Sequence, residues 1–207
     1  MRRLLIKYDS KIQNYLKLLN PYCLKEVSSN EHNCIIMILS EDGYLLCKNM
    51  IPNYIIKSSR VNLYDVIMYD EVPQKCRLKL KNIPYNELNI VSSRSEYMMD
   101  EDKYTIYVKS FLTDSEYEAL KKLNDYIINK VRPILGCYCR SKIQNPNELT
   151  EYINKNLNCS LVYGINGFEM VDGGLFFNVH CDLNKLDTIN KMSNIKIDKV
   201  NLFFNLY

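Results

Sequence analysis

A chain of 207 residues, with 47% hydrophobic and 25% charged residues, has the make-up of one substantial globular domain or a core domain with an extension. Its net charge of +3 tolerates a nucleic-acid partner without announcing one, because a dedicated binder gathers its cations on one face. No stretch reaches the ~18–20 apolar residues of a membrane span, and the start of the chain is too interrupted by Lys7, Asp9, Lys11 and Gln13 to serve as a secretory leader.

The eight cysteines are therefore expected as reduced thiols in the cytoplasm. Cys137-x-Cys139 and His180-Cys181 do not have the spacing of zinc sites, so structural thiols are expected there. A single alanine, Ala119, and no tryptophan accompany abundant Asn, Ile, Lys and Tyr, which points to an A/T-rich genome. The basic runs Lys75–Lys81 and Lys130–Arg132 read as solvated faces.

Taken in order, Leu4, Leu5, Tyr8, Ile12, Tyr15, Leu16 and Leu19 recur at helical spacing, which predicts an N-terminal helix over 1–20, ended by Asn20-Pro21. Cys34–Leu39 (CIIMIL) is a buried strand pattern. Asp42-Gly43 before Tyr44–Cys47 predicts a hairpin. Val61–Tyr69 fits a strand or a short helix. Pro73, Pro84 and Ser92–Ser95 suggest loops, Asp100–Asp102 an acidic turn, and Tyr104–Lys109 a strand. Thr113-x-x-Glu116 is a capping box that opens a helix predicted to run to Val131.

Pro133 stops that helix. Asn145 and Pro146 then open another, with Leu149, Tyr152, Ile153 and Leu157 on one face and Asn158 as its stop. Strands are expected near Leu161–Ile165, at Leu175–Cys181 after the Asp172–Gly174 turn, and at Ile195–Phe204. No internal repeat is visible, so a single α+β domain is expected, an α/β/α sandwich around a mixed sheet.

The stretch GCYCRSKIQNPNELTEYINKNLNC, Gly136 to Cys159, resembles the Nudix box GX5EX7REUXEEXGU, a loop, helix and loop whose glutamates bind Mg2+ or Mn2+. Started at Cys137, the frame runs without a gap over 137–159. Ile153 takes the internal apolar position, Asn158 the closing glycine and Cys159 the last apolar position. CIIMILSEDGYLLCKN is similar to the first Nudix hairpin, and SLVYGINGF with GGLFFNVHCDL to the strands after the box. SEDGYLL, YNEL and FLTDSEYEAL resemble the poxvirus mRNA-decapping Nudix enzymes, which carry a helical insertion matching about 113–131 here.

The box is degenerate. Ile143 stands for the first glutamate, Glu151 for the arginine, Tyr152 for its neighbour, and Lys155 and Asn156 for the two metal-binding glutamates. A divalent ion on pyrophosphate needs anionic oxygens, and Lys155 sets a cation where that ion belongs. The resemblance thus implies a Nudix-fold pseudoenzyme of a virus, acting in the host cytoplasm without a metal. It would keep capped-RNA or nucleotide binding, with Arg140 and Lys155 on phosphates and Tyr54, Tyr85 or Phe168 stacked on a methylated guanine. An interaction scaffold for a viral or host protein is the other form of that expectation.

The alternative is an active metal-dependent decapping or nucleotide hydrolase that uses relocated carboxylates: Glu148 and Glu151, three apart on one helix face, or Glu169 and Asp172.

Overall fold

A computed structural model describes residues 1–29, 33–85, 88, 90–92, 104–123, 125–157, 164–171 and 174–202. The expected stop at Asn158, Cys159, the acidic turn Asp100–Asp102, Asp172 and the loop at 93–95 lie outside the described residues. So do the first part of the strand expected near Leu161 and the end of the one expected to reach Phe204.

Within the described residues the chain is α+β, with three four-stranded sheets and helices between their strands. The first third runs β1 (Arg2–Lys7), α1 (Gln13–Leu18), β2 (Cys23–Ser29), β3 (Cys34–Leu39), α2 (Glu41–Met50) and β4 (Ile55–Arg60). The second runs β5 (Asn62–Asp70), α3 (Pro73–Lys81), β6 (Ile90–Ser92), β7 (Tyr104–Leu112), α4 (Asp114–Lys121) and β8 (Tyr126–Val131). The third runs β9 (Ile134–Ser141), α5 (Pro146–Leu157), β10 (Gly164–Val171), β11 (Gly174–Asp182), α6 (Leu183–Asn190) and β12 (Ile195–Leu202).

The sheet orders are β2-β3-β1-β4, β6-β7-β5-β8 and β10-β11-β9-β12. Each is the split βαβ arrangement, in which the first and third strands of a βαββαβ unit sit side by side at the centre. The repeat escaped the sequence reading because it is one of topology. The expected mixed sheet is replaced by three sheets built of antiparallel pairs. By contacts, Met1–Ser58 and Arg132–Tyr207 make one compact unit and Ser59–Val131 a second.

Three expected elements are corrected. The helix over 1–20 begins instead as β1, which pairs residue by residue with β3 from Arg2↔Leu39 to Lys7↔Cys34. Leu4 and Ile6 point to the core, an alternation that helical spacing masked, and pairing with the apolar CIIMIL strand decides the outcome. The hairpin expected at Asp42-Gly43 is the first turn of α2, capped by Ser40, whose Oγ accepts from the Gly43 N–H at 3.2 Å. Glycine is needed there for a close approach, since a Cβ would fall 2.4 Å from the Cβ of Tyr22. The helix expected over 113–131 has its capping box, but it ends at Lys121, and Tyr126–Val131 pairs with β5 as a strand. The ambiguous Val61–Tyr69 resolves as β5.

In the first module Leu4, Ile6, Ile35, Met37 and Leu39 from the sheet pack with Leu16 and Cys47 from the helices. Each such side chain contributes about 1.5–3 kcal/mol on full burial. All six residues of β3 are buried, so this sheet is closed on both faces. The second unit has its own core of Tyr64, Val66, Met68, Ile106 and Val108 from its sheet, with Cys76 and Leu120 from its helices.

The first and third modules share a unit and touch in two layers. Between their helices, Ser40 Oγ donates to Asp187 Oδ1 at 3.0 Å, Lys191 Nζ meets Asp42 Oδ2 at 2.8 Å, and Asn190 Nδ2 donates to the Pro21 carbonyl at 3.1 Å. Between their sheets, edge strand β12 lies beside edge strand β2.

Candidate nucleic-acid interface

Strands β9 and β11 alternate strictly. Leu135, Cys137, Cys139 and Ser141 on β9, and Leu175, Phe177, Val179 and Cys181 on β11, are buried. They form the face that the apolar stripes of α5 (Leu149, Ile153, Leu157) and α6 (Leu186, Ile189) cover. The alternate residues make a second, open face.

The register arranges that face in rows. Phe176 lies opposite Arg140, Asn178 opposite Tyr138, and His180 opposite Gly136. On the other flank of β9, Lys196 lies opposite Arg140, Lys199 opposite Tyr138 and Asn201 opposite Gly136. Glu169 on β10 lies opposite Phe176.

The Tyr138 and Phe176 rings stack at a centroid distance of 5.7 Å and an angle of 25°. The Arg140 guanidinium stands 4.9 Å over Phe176 and bonds Asp198 Oδ2 at 3.1 Å. The His180 ring lies across Gly136, where an added Cβ would stand 3.5 Å from Cδ2. Two adjoining aromatic rings are thus flanked by Arg140, Lys196 and Lys199. Stacking rings supply a sequence-tolerant seat for bases, and cations beside them attract phosphates.

The residues singled out by the sequence are not gathered here. Arg140 is on the open face, while Lys155 is exposed on α5, across the sheet from it. The two do not form one phosphate site, because a helix packed on one face cannot present residues to the other. Glu148 and Glu151 are exposed on α5. Asn156 Nδ2 donates to the Tyr152 carbonyl of its own helix at 2.7 Å, and the Ile143 N–H donates to Ser141 Oγ at 2.9 Å. The first residues of the box frame, Cys137 to Ser141, belong to a central strand where a loop was expected.

Tyr54 packs against the first module's core, Tyr85 has a left-handed backbone at φ 51°, and Phe168 stacks on buried Phe177 at 6.3 Å. None of these three belongs to the open face. Glu169 does. Tyr138 and Phe176 were missed because their meaning lies in being diagonal neighbours on one face of two paired strands; the alternation in CYCRS and LFFNVH was the available signal.

Among the described residues, no three of His, Cys, Asp and Glu stand together so as to hold a metal ion, and no helix is long and apolar enough to cross a membrane. Cys34, Cys47, Cys76, Cys137, Cys139 and Cys181 are buried and Cys23 is half-buried. Burial pushes the thiol of Cys23 up to about 12 and that of Cys47 to about 11, and raises that of Cys139 further. Cys137 and Cys181 stand with sulfurs 3.9 Å apart, and their mutual contact raises the thiol of Cys137, as burial also does.

No family model matches the chain, and no curated protein matches it. Among solved structures, one similar chain is described as a glycine cleavage system transcriptional repressor, at 12% identity and a TM-score of 0.25, over 71% of this chain and all of that one. Another comprises the N-terminal three RNA binding domains of the yeast splicing factor Prp24, at 13% identity and a TM-score of 0.33, over 99% of both chains. Superpositions this loose fix neither the fold nor the function.

Proposed function

We propose that the protein binds single-stranded RNA on the open face of the β10-β11-β9-β12 sheet, without catalysing a reaction there. The supporting observation is the stacked pair Tyr138–Phe176 bordered by Arg140, Lys196 and Lys199. Four-stranded sheets with aromatic side chains on their central strands are a recurrent platform for unstacked bases. Arg140 reinforces it from both sides, lying over the Phe176 ring while Asp198 fixes its guanidinium.

The resemblance to mRNA-decapping enzymes then becomes one of partner class. A cap hydrolase is the second reading, and the exposed pair Glu148 and Glu151 on α5 is what favours it. It requires Mn2+-dependent release of the cap nucleotide that disappears in Glu148→Gln or Glu151→Gln.

The platform is tested by fluorescence anisotropy with a labelled single-stranded RNA. Base–aromatic stacking contributes about 1–3 kcal/mol per base, so Tyr138→Ala and Phe176→Ala each weaken binding by roughly 5- to 150-fold. A double variant that binds like the parent overturns the reading.

A further inference from the structure

The open face does not end at β12. Beyond it, between β12 and β2, lies a cleft of about 370 Å³ lined by Asn20, Cys23, Leu24, Lys25, Glu26, Asp198, Lys199, Val200 and Asn201. Both strands are irregular at this place: the register slips between Ile197 and Lys199 on one, and between Cys23 and Lys25 on the other. Two bulged edges that meet leave a gap where two flat edges would pair.

The side of the sheets that Lys25 faces follows from the contacts. Helices α2 and α6 are joined through Ser40–Asp187 and Asp42–Lys191, so the helical layers of the first and third modules lie on one side. The opposite faces of their sheets therefore share the other side. Lys25 lies opposite Ile38, which in turn lies opposite Arg3, and both belong to the face of β3 and β1 turned away from the helices. Lys25 thus points to the same side as Lys199 and Tyr138.

The charges sort themselves. Asp198 is taken up by Arg140, and Glu26, opposite Met37, is turned to the helical side, which leaves Lys25 and Lys199 on the open side with the side-chain amide of Asn201. Beyond Lys25 the track stops, because Ile36 and Ile38 of the first sheet are buried.

We propose that this cleft holds the backbone phosphates of a strand whose bases stack on Tyr138 and Phe176. The ligand is then a continuous single strand crossing from the third module to the first, and not a mononucleotide or an isolated cap. This rests on the platform reading above. Lys199 is one strand, about 4.8 Å, beyond Tyr138, and Lys25 lies across the cleft from it, in the direction a backbone leaving the platform would take.

The test compares a trinucleotide with an octanucleotide RNA, each titrated across a salt series against the full chain. The octamer should bind more tightly and with a steeper salt dependence. Lys25→Gln should weaken the octamer several-fold and reduce its log–log salt slope by about 0.7, the loss of one phosphate contact on a single strand. It should leave the trinucleotide unchanged. Lys25→Arg should restore the octamer's affinity and its salt slope, a rescue that misfolding cannot produce. If Lys25→Gln binds the octamer like the parent while Tyr138→Ala still weakens it, the cleft is overturned and the platform stands. If Tyr138→Ala is also without effect, both fall.

Discussion

The first and third sheets share one strand order and differ in how many faces they close. In the first, the central strand CIIMIL is apolar at every position, and all six side chains are buried. In the third, the central strands alternate, with Cys137, Cys139, Phe177 and Val179 inside and Tyr138, Arg140, Phe176 and Asn178 outside. The same backbone geometry yields a structural slab in one case and a surface with chemistry in the other. Strand periodicity decides between them, because a side-chain period of two lets one strand serve the core and a ligand at once.

The most severe way to break that contrast is to put a charge on each sheet's second face. Ile38→Asp places a carboxylate at a fully buried position of the first sheet and should cost about 3–5 kcal/mol, the penalty of an unpaired buried charge. Asn178→Asp on the third sheet should stay within about 0.5 kcal/mol. Chemical denaturation of both variants measures the difference, and equal losses would mean the third face is not open.

Gly43→Ala comes next. Overpacking against the Cβ of Tyr22, 2.4 Å away, should cost about 1–3 kcal/mol, against the roughly 1 kcal/mol that alanine gains inside a helix. The net is a loss of stability, read by thermal melting, with trinucleotide affinity retained because Tyr138 and Phe176 lie on another module.

The smallest expected effect is a pH slope. Asp187 accepts from Ser40 Oγ and the Asp42 N–H, yet burial pushes its carboxyl above the ordinary range; Asp42 raises it too, while Lys191 opposes the rise. The folded state therefore holds this proton more tightly than the unfolded chain. Stability from this group is fully present below the unfolded carboxylate pKa and is lost as pH rises through the raised folded value. Asp187→Asn should flatten that slope in melts run across the acidic range. An unchanged slope would move its origin elsewhere.

The sequence made some of this visible. The capping box at Thr113 and Glu116, the Asn145-Pro146 helix start and the CIIMIL and LFFNVHC strands are local signals, and each element formed where its residues pointed. The N-terminal strand was hidden because Leu4, Leu5 and Tyr8 satisfy a helical period while Leu4, Ile6 and Tyr8 satisfy an alternating one, and only the partner strand breaks the tie. Asp42-Gly43 reads as a turn in one dimension, while the glycine is there to let Tyr22 approach. The threefold repeat could not be read from residue identity, since each module fills its core with different side chains. For the candidate interface, Arg140 was anticipated as a phosphate contact and stands on the open face. Its aromatic neighbours were not anticipated: among 17 tyrosines, only strand register tells which one lies diagonal to a phenylalanine on the same open face.

The buried thiols have a kinetic consequence. Only a thiolate attacks an alkylating reagent, and burial both shields these sulfurs and holds that of Cys47 near 11. Each labelling event must then wait for its module to open. Cys34 and Cys47 report on the first module, Cys76 on the second, and Cys137, Cys139 and Cys181 on the third. With Cys23 and Cys159 replaced by serine, the order in which these sulfurs become labelled is a clock with three hands, timing the opening of each module along one chain.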